Sequence, residues 1–152
     1  NIQNSKKRIN NYISYDLKDL DYREIGVPEV QYDANITMSC GDFQKYCREM
    51  NNLADIMEIK SVGKQLILSC TGDFATQTTV LGETTNGMSY MENSTDDIVQ
   101  GYFQLKFFGL FSKCANLCSN VKLYLENDLP LVCEYCFNLG TIKFALAPKI
   151  VD

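Results

Sequence analysis

Histidine is absent from all 152 residues. That gap removes the commonest general base and the commonest metal ligand, so triad-type catalysis is not expected. No apolar run approaches the roughly 20 residues of a membrane-spanning helix, and no secretory pattern opens the chain. A glycine-rich phosphate loop is missing too: Gly63, Gly72, Gly82 and Gly87 are scattered turn glycines. The first residue is Asn1 rather than Met, so a fragment, a processed product or part of a longer protein is expected.

What is present reads as one globular domain. Hydrophobic residues make up 45% and charged residues 22%, ordinary values that argue against disorder. Seven cysteines, an odd count with no secretory signal, suit a reducing compartment and free thiols. A net charge of -5 counts against nucleic-acid binding only if the charge is evenly spread.

Residues 1–8 are polar and basic and read as a solvated terminus. A strand pattern follows from Ile9 to Leu17, with Ile13 and Tyr15 on one face and Tyr12 on the other. From Leu17 to Tyr32 acidic and apolar residues mix without a sustained period, and Gly26 and Pro28 stand close together. This predicts an ordered surface connector displaying Leu20, Ile25 and Val27. Asp33–Ser39 alternates as a half-buried strand. Ser39-Cys40-Gly41-Asp42 has the form of a helix start, and Phe43, Tyr46, Cys47 and Met50 then carry helical spacing. Strand patterns follow at Asp55–Ser61, Lys64–Thr71 and Thr76–Leu81, and Glu83–Asp97 reads as a loop around a short strand. Gly101–Ser119 is predicted as a second helix, with Phe103, Phe107, Leu110, Phe111 and Cys114 on one stripe. Val121–Glu126, Leu129–Phe137 and Thr141–Leu146 complete the strands. Many strands with short connections and two distant helices predict an antiparallel α+β domain with both helices on one sheet face.

Cys114, Cys118, Cys133 and Cys136 superficially imitate the spacing of a zinc site. Strand geometry opposes it: Cys133 and Cys136, three apart, point to opposite faces. A redox pair there is disfavoured because such pairs sit at a helix N-terminus after a strand. No metal, cofactor or catalytic constellation is expected. The basic residues are of more interest. Lys45 and Arg48 share a face of the first helix, Lys106 and Lys113 lie two turns apart on the second, and no acidic residue falls between Gly101 and Ser119. Taken singly these are ordinary solvated faces. Gathered on one side they suit phosphate backbones without base readout, in a weak and salt-sensitive way.

Several stretches together resemble proliferating cell nuclear antigen (PCNA), the family of eukaryotic DNA sliding clamps. They are the Asp19-Leu20-Asp21 to Tyr32 connector, the Gly41–Met50 helix, Phe111-Ser112-Lys113-Cys114-Ala115, Leu129-Pro130-Leu131-Val132-Cys133-Glu134-Tyr135, and Leu146-Ala147-Pro148-Lys149-Ile150. The resemblance covers nearly the whole chain. It implies that residues 1–16 end a first clamp domain, residues 17–32 are the interdomain connecting loop, and residues 33–152 form the C-terminal clamp domain. It implies a nuclear, non-enzymatic processivity factor, active in replication and repair, whose three subunits close a ring around duplex DNA. Partners would be duplex DNA, polymerases and other proteins with clamp-binding peptides, and a clamp loader. Lys45, Arg48, Lys106 and Lys113 would face DNA. Partner peptides would dock in a groove formed by Leu20, Ile25, Val27, Pro130, Ala145, Ala147, Pro148 and Ile150. Tyr12, Ile13, Tyr15, Thr76, Thr78 and Val80 would lie at the subunit contact, where strand pairing removes open edges. Two departures stand out: Ala145 replaces a usual Tyr, and Asn52 replaces a longer or titratable donor. A checkpoint-clamp-like or divergent scaffold that binds peptides without sliding is the alternative, and thiol redox chemistry at Cys133 and Cys136 is a distant third.

Overall fold

Alternating apolar and polar residues set nine antiparallel strands in a computed structural model that describes residues 32–82, 88–93 and 97–150. In β1 (Ala34–Ser39), Ala34, Ile36 and Met38 are buried, and Asn35, Thr37 and Ser39 point the other way. Ser39 ends the strand and caps α1 (Cys40–Asn51), its Oγ accepting from the Asp42 amide at 3.3 Å. Cys40, Phe43, Cys47 and Met50 form the buried side of that helix, with Tyr46 half-buried beside them.

The next strands are β2 (Ile56–Val62), β3 (Gln65–Thr71) and β4 (Thr76–Gly82), paired in succession. Gly63, at φ 59°, makes the first of their turns. At the start of the second turn, a Cβ on Gly72 would lie 1.7 Å from the Leu53 carbonyl oxygen, so a side chain has no room there. After β5 (Met88–Asn93) comes β6 (Val99–Gln104), and the chain ends with β7 (Asn120–Leu125), β8 (Leu131–Phe137) and β9 (Gly140–Leu146).

These strands divide into two sheets, ordered β9-β8-β7-β1-β5 and β4-β3-β2-β6. The α+β class with antiparallel pairing matches the expectation. The division in two was not legible, because an alternating strand does not name its neighbour. The predicted helix from Gly101 to Ser119 needs correction. Gly101–Gln104 belongs to β6, with Phe103 buried opposite Met57 of β2. The amide of Leu105 donates to the Asp55 carbonyl at 2.8 Å, and only beyond it does the chain coil. The coiled stretch is a 3-10 turn at Leu105–Phe107, a short α2 (Phe108–Phe111) and a second 3-10 segment at Ser112–Asn116. This later start rotates the buried stripe, so Phe108 is buried while Leu110 is 39% exposed.

A chain of aromatic contacts seats both helical segments on the five-stranded sheet. Phe43 of α1 meets Phe108 edge-on at 5.6 Å, Phe111 stacks on Phe144 of β9 at 4.1 Å, and Phe144 meets Tyr135 of β8 edge-on at 5.9 Å. The end of α1 also touches the four-stranded sheet, where Gln77 Nε2 donates to Glu49 Oε1 at 3.4 Å. One continuous core therefore joins both sheets and the helical layer.

Candidate functional site

The helical layer turns its apolar side to the sheet, and its cations are left outward. Lys45 and Arg48 are exposed on α1, and Lys106 is exposed in the 3-10 turn that packs against α1. Lys106 Nζ stands 5.2 Å from the Phe107 ring centre, and Lys45 Nζ 5.8 Å from that of Tyr46. Each ammonium group thus lies over a neighbouring ring on a side chain that is itself exposed. Lys113 falls in the second 3-10 segment, with its side chain outside the described set. Asn52 follows α1 as its C-cap, donating its backbone amide to Glu49 and Met50.

The opposite face of the five-stranded sheet carries a different chemistry. Register aligns Thr37, Lys122, Glu134 and Lys143 across four strands, and Asn35, Tyr124, Val132 and Ala145 in the next row. Tyr124 donates its hydroxyl to Glu134 Oε1 at 2.7 Å. Burial, and then that bond to a carboxylate, hold the Tyr124 phenol above its ordinary range. Tyr32, the last residue of the predicted connector, sets its ring 5.7 Å from that of Tyr124, and the Asp33 amide donates to Glu126 Oε1 at 2.7 Å. Tyr32 and Asp33 are therefore tied to this sheet.

Of the predicted groove, Pro130, Ala145, Ala147 and Pro148 are half-buried and Ile150 is 89% exposed. Leu131 pairs with Leu146, so Pro130 and Ala147 sit at the same end of that ladder. Lys149 donates its amide to the Tyr102 carbonyl at 2.7 Å, which draws the segment after β9 across to β6 of the other sheet. Leu20, Ile25 and Val27 lie outside the described residues. At the predicted subunit contact, Thr76 and Thr78 are exposed and Val80 is 53% exposed, all on one face of β4, an edge strand among the described residues. Tyr12, Ile13 and Tyr15 lie outside the described set.

The family model for "Proliferating cell nuclear antigen, C-terminal domain" matches residues 26–150. The chain belongs to this family. Two relatives agree with that PCNA assignment. The chain is 32% identical to the "Probable DNA polymerase sliding clamp 1" of Paramecium bursaria Chlorella virus 1, across 97% of this chain and 57% of the relative. It superposes on the crystal structure of Proliferating Cellular Nuclear Antigen from Entamoeba histolytica with a TM-score of 0.73 and 31% identity, covering 87% of this chain and 52% of that one. The chain thus spans a little over half the length of each.

Within this PCNA C-terminal domain, sequence reasoning missed the Tyr32–Tyr124–Glu134 cluster. The strand pattern correctly places Tyr124 on the face opposite Val121, Leu123 and Leu125, but it does not say that the Tyr32 ring packs there. Cys133 is fully buried and Cys136 exposed, the opposite orientations that strand geometry dictates. Burial pushes the Cys133 thiol well up, which works against the thiolate form that redox chemistry uses.

Proposed function

We propose that this chain is the C-terminal part of a DNA sliding clamp, a non-enzymatic processivity factor that holds polymerases and repair proteins on duplex DNA. In this reading residues 1–16 complete a preceding clamp domain, residues 17–32 connect the two, and residues 33–152 form the second domain. Three full-length subunits close a ring, with β4 pairing through Thr76, Thr78 and Val80 to a strand like that of Tyr12, Ile13 and Tyr15 in the neighbour.

The observation that carries the proposal is the sidedness of the domain. Exposed Lys45, Arg48 and Lys106 stand on helices that bury their other side against one sheet face, while Tyr32 packs on the opposite face. A cationic lining of this sort holds phosphates without reading bases, and each phosphate contact steepens the salt dependence by about 0.9 in log–log slope. In this reading Lys113 belongs to the same DNA-facing set. Leu20, Ile25, Val27, Pro130, Ala145, Ala147, Pro148 and Ile150 form the outer groove for partner peptides, where apolar anchors supply affinity. The small side chain of Ala145 beside Val132 leaves room for a bulkier anchor. A clamp loader opens the ring, and the protein works in the nucleus of a eukaryotic cell.

Two measurements on the full-length protein test this: its mass in solution, and polymerase extension on a long primed template. A trimer that lengthens the products supports the ring. A monomer that captures partner peptides without stimulating synthesis selects the scaffold reading instead.

A further inference from the structure

Two cysteines meet where the helical layer joins the sheet. Cys40, the first residue of α1, and Cys118, just beyond the second 3-10 segment, bring their Sγ atoms to 3.5 Å across 78 positions of chain. The Cys40 amide donates to the Ser119 carbonyl at 2.9 Å, so the two backbones are already joined beside the sulfurs. Cys118 Sγ also contacts the Cys114 carbonyl oxygen at 3.2 Å, which holds its side chain toward the pair. Cys40 is buried, and Cys118 is half-buried and reachable from solvent.

We propose that Cys40 and Cys118 form a peroxide-sensitive dithiol that closes reversibly into a disulfide, pinning the start of α1 to the chain entering β7. A disulfide needs about 2.05 Å between sulfurs, so the pair must close by about 1.5 Å. The oxidant is hydrogen peroxide. Cys118 sulfur attacks one peroxide oxygen; an S–O bond forms, the O–O bond breaks, and the departing oxygen leaves as water with the thiol proton. Cys40 sulfur then attacks the Cys118 sulfenic acid; the S–S bond forms, the S–O bond breaks, and a second water leaves with the Cys40 proton. Two thiols lose two electrons in all, and one peroxide becomes two waters.

The order of the steps follows from exposure. Half-buried Cys118 is the sulfur that peroxide meets, while Cys40 is buried, its thiol pushed up by burial and then by the hydrogen bond with Cys118, and it reacts only once its neighbour has been oxidised. Cys47 and Cys133 are buried in the core, at 5% and 0% exposure, away from a dissolved oxidant. Exposed Cys136 has no thiol neighbour of that kind among the described residues and is the internal comparison.

The test treats the full chain with hydrogen peroxide and maps its peptides without reduction. The expected result is a Cys40–Cys118 cross-linked peptide, a mass loss of about 2 Da, and reversal by dithiothreitol. Closing so long a loop should raise the melting temperature by several degrees, about 5–15 °C on chain-entropy grounds. Cys118→Ser should abolish the cross-link and the shift, and Cys114→Ser should retain both. Should either variant fail to fold, the wild-type peptide map still decides. Oxidation confined to Cys136, a Cys114–Cys118 link, or Cys40 and Cys118 still alkylatable after Cys136 has reacted would each overturn the proposal.

Discussion

Replacing Phe111 with Ala tests how the helical layer is held on its sheet. Phe111 is 1% exposed, stacks on Phe144 at 4.1 Å and 19°, and meets Phe108 edge-on at 5.7 Å. Truncating a buried Phe to Ala costs about 3–5 kcal/mol, combining lost transfer energy with the cavity left behind. Stacking adds about 0.5–1.5 kcal/mol for an aromatic pair beyond its buried area. The site cannot collapse easily, because Phe108 and Phe144 are themselves fixed by Phe43 and Tyr135. The loss should therefore fall near about 4 kcal/mol, a large share of the about 5–15 kcal/mol that ordinary domains possess. Urea unfolding of both proteins measures it, with the midpoint lowered and the slope unchanged. Phe111→Leu should lose much less. A double-mutant cycle with Phe144→Leu should show about 1 kcal/mol of coupling. A loss of less than about 1.5 kcal/mol for Phe111→Ala would refute the view that this aromatic chain seats the helices.

Alkaline pH should weaken the fold. Burial holds the Tyr32, Tyr124 and Tyr135 phenols above 10.0, and the Cys40, Cys47, Cys114 and Cys133 thiols above 9.0. These groups stay protonated in the folded chain after the unfolded chain has released its protons. Their contribution is thus complete below about pH 9 and declines as pH rises through the folded values. Urea midpoints that stay level from pH 8 to about pH 11 would contradict this. Gly72→Ala should cost more than about 2 kcal/mol, since the new Cβ meets a backbone oxygen that a side-chain rotation cannot move; an unchanged melting temperature would count against the close approach. Arg48→Glu in the full-length protein should weaken duplex binding and flatten its salt dependence by about 0.9 for each phosphate no longer neutralised, whatever the base sequence. An unaltered salt slope would remove Arg48 from the DNA-facing set.

Local pattern was enough wherever a residue's environment follows from its own element. Ser39 and Asp42 announce the start of α1, and Phe43, Cys47 and Met50 announce its buried face, because 3.6 residues per turn admits only one such stripe. Val121, Leu123 and Leu125 announce β7 by their period of two, and the same period sets Cys133 and Cys136 on opposite faces. The basic positions on the helices and the family likeness were equally plain in the string of residues.

Long-range pairing decided the remainder. Phe103, Phe107 and Phe111 keep helical spacing, yet β2 recruits Gly101–Gln104 as its neighbour, since Met57 opposite Phe103 gains both a ladder and a buried contact. That recruitment delays the coil, exposes Leu110 and buries Phe108 in its stead. The partition into two sheets, the Tyr32 ring against Tyr124, and the Cys40–Cys118 approach share one cause. Each joins segments distant in the chain, and no periodicity within either segment encodes which distant segment will lie beside it.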